Sequence, residues 1–369
     1  MRRIAIAVVA SAMSLSLAGC GMLGASENTS SATPTRSNDI TVGVLMPEET
    51  NTRYADFDYP IIKKKVTELT QDKGRTEYAN AAGESKTQTT QMQKMIDDKV
   101  DVILLDAVDA KVIAPMVQKA KDANIPVIAY DRLAEGPIDG YVSFDNELVG
   151  EVQGRTLVEA ITNVEPSDKI VMVNGSPTDP NAGQFKAGAL SELNGRVTVA
   201  KSYDTDKWSP DVAQAEMSKA IEALGASNIA GVYSANDAMA GGIIKALKAA
   251  GVTGADLPPI TGQDAELPAV QRIISGEQFM SVYKPYPSEA EAAAEAAVAK
   301  VQGRDLQFDA LTRDKVDSPT TKNIPAKLVP VVALTKDNIK STIVADGIYT
   351  VSEICTAKFK TACQALKLL

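Results

Sequence analysis

Histidine is absent from this 369-residue chain, which removes the commonest protein metal ligand and the usual general base at neutral pH. Cysteine is scarce: Cys20 stands near the start, and Cys355 and Cys363 lie close together near the end. Two cysteines without histidine make a poor zinc site. No D-x-[DN]-x-[DN]-G run is present to hold a cation with oxygen ligands, so neither metal nor cofactor is expected. Basic clusters are missing too. Lys and Arg number 38 against 47 Asp and Glu, a net charge of −9, and such a balance argues against nucleic acid as a partner. Tryptophan occurs once, at Trp208.

What is present begins with Arg2 and Arg3, an apolar stretch over residues 4–17, and then Leu17-Ala18-Gly19-Cys20. The stretch is shorter than the ~20 apolar residues a membrane span needs and reads as the core of an export signal. Small residues before a cysteine resemble the bacterial lipobox. That resemblance implies cleavage after residue 19, a lipid on Cys20 and anchoring at the outer face of the cytoplasmic membrane; buried CH₂ groups hold such a chain at roughly 0.8 kcal/mol each. Loss of residues 1–19 moves the net charge from −9 to −11. Residues 21–39 are mostly Ser, Thr, Asn, Gly and Pro with little to bury and read as a flexible tether. In an exported chain, Cys355 and Cys363 read as a disulfide in the tail 351–369.

From residue 40 a short apolar run, a polar corner and a helical pattern recur. The runs fall at 40–45, 102–105, 125–129, 170–173, 197–200, 229–233 and 259–261. Between them, Ile62, Val66 and Leu69, or Ala213, Met217, Ala220 and Leu224, repeat at helical spacing. Runs without alternation suggest strands covered on both faces, and strand–helix–strand order implies right-handed parallel crossovers. The fold class is therefore α/β, with two doubly wound parallel-sheet lobes joined by a three-segment hinge. The expected first lobe is 40–142 plus 282–322 and the second 144–281 plus 323–350, crossing near Ser143, near Ser281 and over 318–323.

Ligands of open parallel sheets bind beyond the carboxyl ends of the strands. Those mouths read Tyr130-Asp131-Arg132, Asp145-Asn146, Asn174 through Asn181, Asn236-Asp237 and Gln263-Asp264. Asp or Asn before a helix is a good N-cap, worth about 1 kcal/mol, and any one of these residues alone is explained that way. A cap needs one acceptor, however, and here acceptors come doubled and beside Arg132. Many paired donors and acceptors without one dominant charge suit a polyol, whose hydroxyls both donate and accept. Its C–H faces suit an aromatic ring. Trp208 lies in a polar loop between strand and helix, and Tyr54, beside Arg53 at the first strand's mouth, is placed to supply an opposing face.

Six segments in order, Ala129-Tyr130-Asp131-Arg132, Ser143-Phe144-Asp145-Asn146, Gly175-Ser176-Pro177 with Asn181, Asn236-Asp237-Ala238 with Gly241-Gly242, Gly262-Gln263-Asp264-Ala265 and Val282-Tyr283-Lys284-Pro285, resemble the periplasmic D-xylose-binding proteins. The resemblance runs over about 40–350. It implies a type I periplasmic binding protein fold, an ABC importer's permease as partner, a monomer and no enzymatic step. It also implies sugar contacts at Arg53, Asp131, Arg132, Asn181, Trp208, Asn236, Asp264 and Lys284, with Asn146 beside the first crossing. Two departures fall on the first-lobe wall: the family usually has tryptophan where this chain has Tyr54, and 47–52 has no clear counterpart. The tail 351–369 is extra. The competing readings are a broader aldose binder, taking D-glucose, D-galactose or L-arabinose, and a glycosidase using paired carboxylates. Against the glycosidase stand the resemblance to binders and carboxylates that need no raised pKa.

Overall fold

The computed structural model describes residues 38–369; the expected signal, Cys20 and nearly all of the tether lie outside them. The described residues form twelve strands: β1 (Thr41–Met46), β2 (Arg75–Asn80), β3 (Val102–Leu105), β4 (Val127–Tyr130), β5 (Gly140–Phe144), β6 (Lys169–Asn174), β7 (Thr198–Asp204), β8 (Gly231–Ser234), β9 (Ser281–Tyr283), β10 (Asp314–Val316), β11 (Ile324–Val329) and β12 (Val332–Leu334). The first lobe is a seven-stranded sheet in the order β10-β11-β5-β4-β3-β1-β2, parallel except for β10 against β11. In the second lobe β6 lies between β7 and β8, and β9 pairs with β12. Single bridges from Val232 to Ile260 and from Gln263 to Val282 join these two pieces.

The apolar runs became the central strands because both their faces are covered. On the first sheet, Val42, Val44, Val102 and Leu104 pack against one helical layer with Ile62, Val66 and Ala297. Leu45, Ile103, Leu105 and Val127 pack against the other with Met92, Met95 and Val117. A separate core holds the second lobe, with Ile170, Met172 and Val232 among Phe185, Met217 and Ile243. Here the helices Asn146–Ala160 and Pro180–Leu193 touch through glycine. A Cβ on Gly188 would sit 2.0 Å from the Glu147 carbonyl oxygen, and one on Gly150 2.0 Å from that of Phe185.

Four details differ from the expected pattern. Residues 259–261 make one bridge, at Ile260, rather than a strand; Pro258 and Pro259 have no N–H to donate to a ladder. β2 was not among the expected runs, because Arg75–Asn80 is an edge strand, partly exposed and polar, without an apolar signature. The third crossing moves as well. β11 pairs in parallel with β5, so 324–329 belongs to the first sheet, and the chain passes to the second lobe between Val329 and Val332 rather than over 318–323. Residues 281–283 likewise stay in the second lobe, and the second crossing follows Tyr283.

Beyond these lies a fourth core, in which Ile273, Tyr283, Tyr286, Ile339, Ile354 and Cys363 are buried together. Cys355 and Cys363 are joined in a disulfide. The helical contact through glycine has a direct test. Gly188→Val should cost about 1–3 kcal/mol by overpacking, a fall of roughly 2–12 °C in melting temperature for a domain of this size that calorimetric scanning would read. Unchanged melting would mean that the helices do not meet this closely.

Candidate functional site

The strand mouths meet in a cleft whose cavity volume is about 20 Å³. It is therefore narrow and drawn in. Non-glycine residues at three of its mouths hold the left-handed backbone: Asp131 (φ 54°), Lys207 and Trp208 (52° and 56°), and Asp264 and Ala265 (93° and 53°). Such conformations cost of order 1–3 kcal/mol each and persist only where their surroundings over-determine them. The loop around Asp264 shows how. Its N–H donates to the Val282 carbonyl at 2.9 Å, the Ala265 N–H to Ser281 Oγ at 2.9 Å and the Glu266 N–H to Asp237 Oδ2 at 3.0 Å. Gly262 lets Asp237 in, since a Cβ there would lie 2.0 Å from Asp237 Oδ1.

Asp131 is one focus. Its carboxylate accepts from the Tyr54 hydroxyl at 3.0 Å and lies 3.6 Å from Arg53 Nη2. Asn181 Nδ2, from the second lobe, donates to the Asp131 carbonyl at 3.0 Å. Burial opposes ionisation here, but Lys284, Arg53 and Arg132 outweigh it and hold the carboxyl down to about 2. Asp264 is the opposing focus. Oδ2 accepts from Asn51 Nδ2 of the first lobe at 2.9 Å, and Lys284 Nζ lies 2.9 Å from Oδ1.

Arg132 joins the two walls. Nη2 donates to Glu48 Oε1 at 2.6 Å, and Nε lies 2.9 Å from Asp179 Oδ2 in the second lobe. Burial pushes the Asp179 carboxyl up to about 6 against the pull of Arg132. Asp179 caps the helix Pro180–Leu193 through the Asn181 N–H and also accepts from Trp208 Nε1 at 3.1 Å. The Trp208 ring, 5% exposed, covers Gly175, where a Cβ would stand 2.0 Å from the ring, and stands edge-on to Phe185 with centroids 6.3 Å apart.

Of the expected contacts, Tyr54, Asp131, Arg132, Asn181, Trp208, Asn236, Asp264 and Lys284 line this cleft. Arg53 and Asn146 are not among its lining residues. Arg53 lies one layer behind, its Nε 2.9 Å from Asp58 and Nη2 2.7 Å from Glu289, at about 2% exposure; its Nη1 has no hydrogen bond. Burial raises the carboxyls of both partners, Asp58 to about 6. Asn146 faces the Tyr141 hydroxyl at 3.4 Å, below the crossing. Glu48, Asn51, Asp179, Phe185 and Gln263 line the cleft without having been expected there. Gln263 and Asp179 carried a signal, the doubled acceptors and a cap beside Asn181. Glu48 and Asn51 had none, being ordinary polar loop residues until the loop folds inward.

Residues 42–305 match the family model described as periplasmic binding protein domain. The chain is 37% identical to the D-xylose-binding periplasmic protein of Escherichia coli (strain K12), over 74% of this chain and 82% of that one. It is 32% identical to a multiple sugar-binding periplasmic protein of Azospirillum brasilense, over 93% and 99%. A solved ABC transporter solute-binding protein of Clostridium phytofermentans with bound beta-D-glucose superposes with a TM-score of 0.74 at 25% identity, covering 85% of this chain and 99% of that one.

Two measurements test this geometry. Gly175→Val should push the only tryptophan off its seat and shift its emission to the red, while unchanged emission would contradict the close contact. Asp131 has a folded pKa below its ordinary value of 3.8, so its contribution to stability is complete above about pH 4 and fades as pH falls toward 2. Asp131→Asn should therefore be less stable than the parent at pH 7, and urea titrations should show that gap narrowing from pH 4 to pH 2.

Proposed function

The chain belongs to the periplasmic binding proteins, within the family of D-xylose-binding periplasmic proteins, and from that premise we propose that it captures D-xylose for an ABC importer by closing two lobes around it. Family membership makes it an extracytoplasmic sugar-binding component of such an importer, a class that binds its solute without converting it. The observation that carries the sugar-capture reading is the opposition of Asp131 and Asp264 across a narrow cleft that Trp208 and Phe185 also line, while the choice of D-xylose rests on the relatives.

The carboxylates and Asn181, Asn236 and Gln263 supply acceptors and donors for ring hydroxyls, while Lys284 and Arg132 donate to oxygens from opposite lobes. A hydrogen bond to a charged group contributes roughly 1.5–3 kcal/mol net, so a handful supports micromolar binding, about −8 kcal/mol, after entropic losses. Arg53 works from behind, fixing Asp131. Asn146 supports the crossing rather than the sugar. Only the closed form brings Asp131 and Asp264 onto one ring, so the sugar shifts the lobes toward closure, and the closed form is the one offered to the permease. Cys20 carries lipid that keeps the protein beside that permease, and the protein acts as a monomer.

A broader aldose reading has its own support: relatives are named for multiple sugars and for galactose, and a solved neighbour holds glucose. Xylose lacks glucose's hydroxymethyl group, and a difference of that size in a pocket is worth only ~1–3 kcal/mol. Titration calorimetry against D-xylose, D-glucose, D-galactose, L-arabinose and D-ribose decides between them. Micromolar or tighter xylose binding with glucose about tenfold or more weaker is expected; equal or better glucose binding would replace the xylose reading. Asp264→Asn keeps the size of the side chain and tolerates the left-handed backbone. It should lose about 10–100-fold in affinity, read at a temperature where the variant is still folded, and should melt below the parent because Lys284 loses its buried partner. Retained affinity would remove Asp264 from the site. Cys20→Ser should leave the membrane fraction, and persistence there would refute the anchor.

A further inference from the structure

The tail 351–369 lies outside the resemblance, yet it is built into the fourth core. Ile354, Cys363 and Leu368 are buried there with Ala265, Val270, Ile273 and Tyr286. Thr350 opens the segment with a capping box on Glu353, the Glu353 carbonyl accepts from Gln271 Nε2 at 3.1 Å, and the disulfide closes the segment on itself. The helix it backs, Leu267–Ser275, begins directly after the left-handed pair Asp264-Ala265. So the tail packs on Ala265 and on the helix that follows the loop carrying one focus of the sugar site.

Just before the tail stands Tyr349. Its ring meets Phe57 edge-on at 5.8 Å between centroids, and its hydroxyl faces Tyr286 and the Leu267 backbone. Phe57 belongs to the turn Tyr54–Asp58 that follows Arg53 in the first lobe. Tyr286 packs on Phe57 at 5.2 Å, lies 5.3 Å from the Arg53 guanidinium carbon, and donates its hydroxyl to the Asp264 carbonyl at 3.2 Å. Three rings thus connect the tail to Arg53 on one lobe and to Asp264 on the other.

We propose that Tyr349, held in place by the disulfide-closed tail, is a positioning residue for the sugar site, acting through Phe57 and Tyr286 on Arg53 and Asp264. This rests on the sugar-binding reading for its effect on affinity, but its structural effect exists without sugar. The Asp264-Ala265 conformation is strained and needs its surroundings to hold it, so loosening the rings releases the loop first.

The test uses Tyr349→Ala and the milder Tyr349→Phe and Phe57→Leu, with Met92→Ala in the first-lobe core as a control for general destabilisation. Hydrogen exchange of the sugar-free protein over residues 262–268 is the first readout. Tyr349→Ala and Phe57→Leu should speed it, Met92→Ala should not, and Tyr349→Phe, which keeps the ring, should restore most of the protection. Cys355→Ser with Cys363→Ser should speed exchange at the same segment. The second readout is affinity for D-xylose, expected to fall about tenfold in Tyr349→Ala and to recover in Tyr349→Phe. Unchanged exchange over 262–268 in both Phe57→Leu and Tyr349→Ala, or equal acceleration in Met92→Ala, would overturn the role of Tyr349. Failure of the parent protein to bind any aldose would instead overturn the proposed function and leave the exchange result standing.

Discussion

Three buried cations, Arg53, Arg132 and Lys284, each 6% exposed or less, are held by carboxylates around the cleft, and one of them, Arg132, takes its partners from both lobes; the rest of the architecture depends on that pairing. Arg132 is held by Glu48 from its own lobe and by Asp179 from the other. Lys284, at the second crossing, reaches Asp264, which Asn51 also meets from the first lobe. Removing one partner from such a group costs several kcal/mol, because the remaining charge is left buried and uncompensated. For Arg132, pairing the charge on both sides and closing the cleft are therefore one event. A ligand that satisfies the same groups with hydroxyls can join the network without supplying a charge of its own.

That requirement explains the strained backbone at the cleft itself. The left-handed residues Asp131, Trp208 and Asp264 are those whose side chains must turn from their own strand ends into the gap between lobes. Asp237, which stays behind, shows the supporting half of the arrangement. It bonds Gln278, Ser281 and the Glu266 N–H, and burial pushes its carboxyl up to about 7. The group is a hub for the loop beside it rather than a partner for ligand.

The two lobes do this with different means. The first has a long sheet covered on both faces and presents its residues from β1 and β4. The second has a shorter ladder, interrupted by prolines, and makes up for it with helices in glycine contact and with the tail core. The aromatic contact of Phe57, Tyr286 and Tyr349 lies where these two constructions meet, close to the crossing after Tyr283.

The sequence by itself determined the alternation of strands and helices, the two-lobed class and most of the cleft. Buried parallel strands must be apolar throughout, and the polar residues at their ends then stand out. Asp131, Asn181, Asn236 and Asp264 were legible for that reason; Trp208 stood out as a lone tryptophan in a polar loop, although the structure also seats its ring in the second-lobe core. The tertiary structure decided what depends on partners distant in the chain. Glu48 and Asn51 enter the site only because the loop after β1 folds back on Arg132 and Asp264, contacts 84 and 213 residues away. Arg53 sits behind the cleft because Asp58 and Glu289 claim its guanidinium. β11 joins the first sheet because its register with β5 is satisfied there, and neither pairing nor register is written in a six-residue segment read alone.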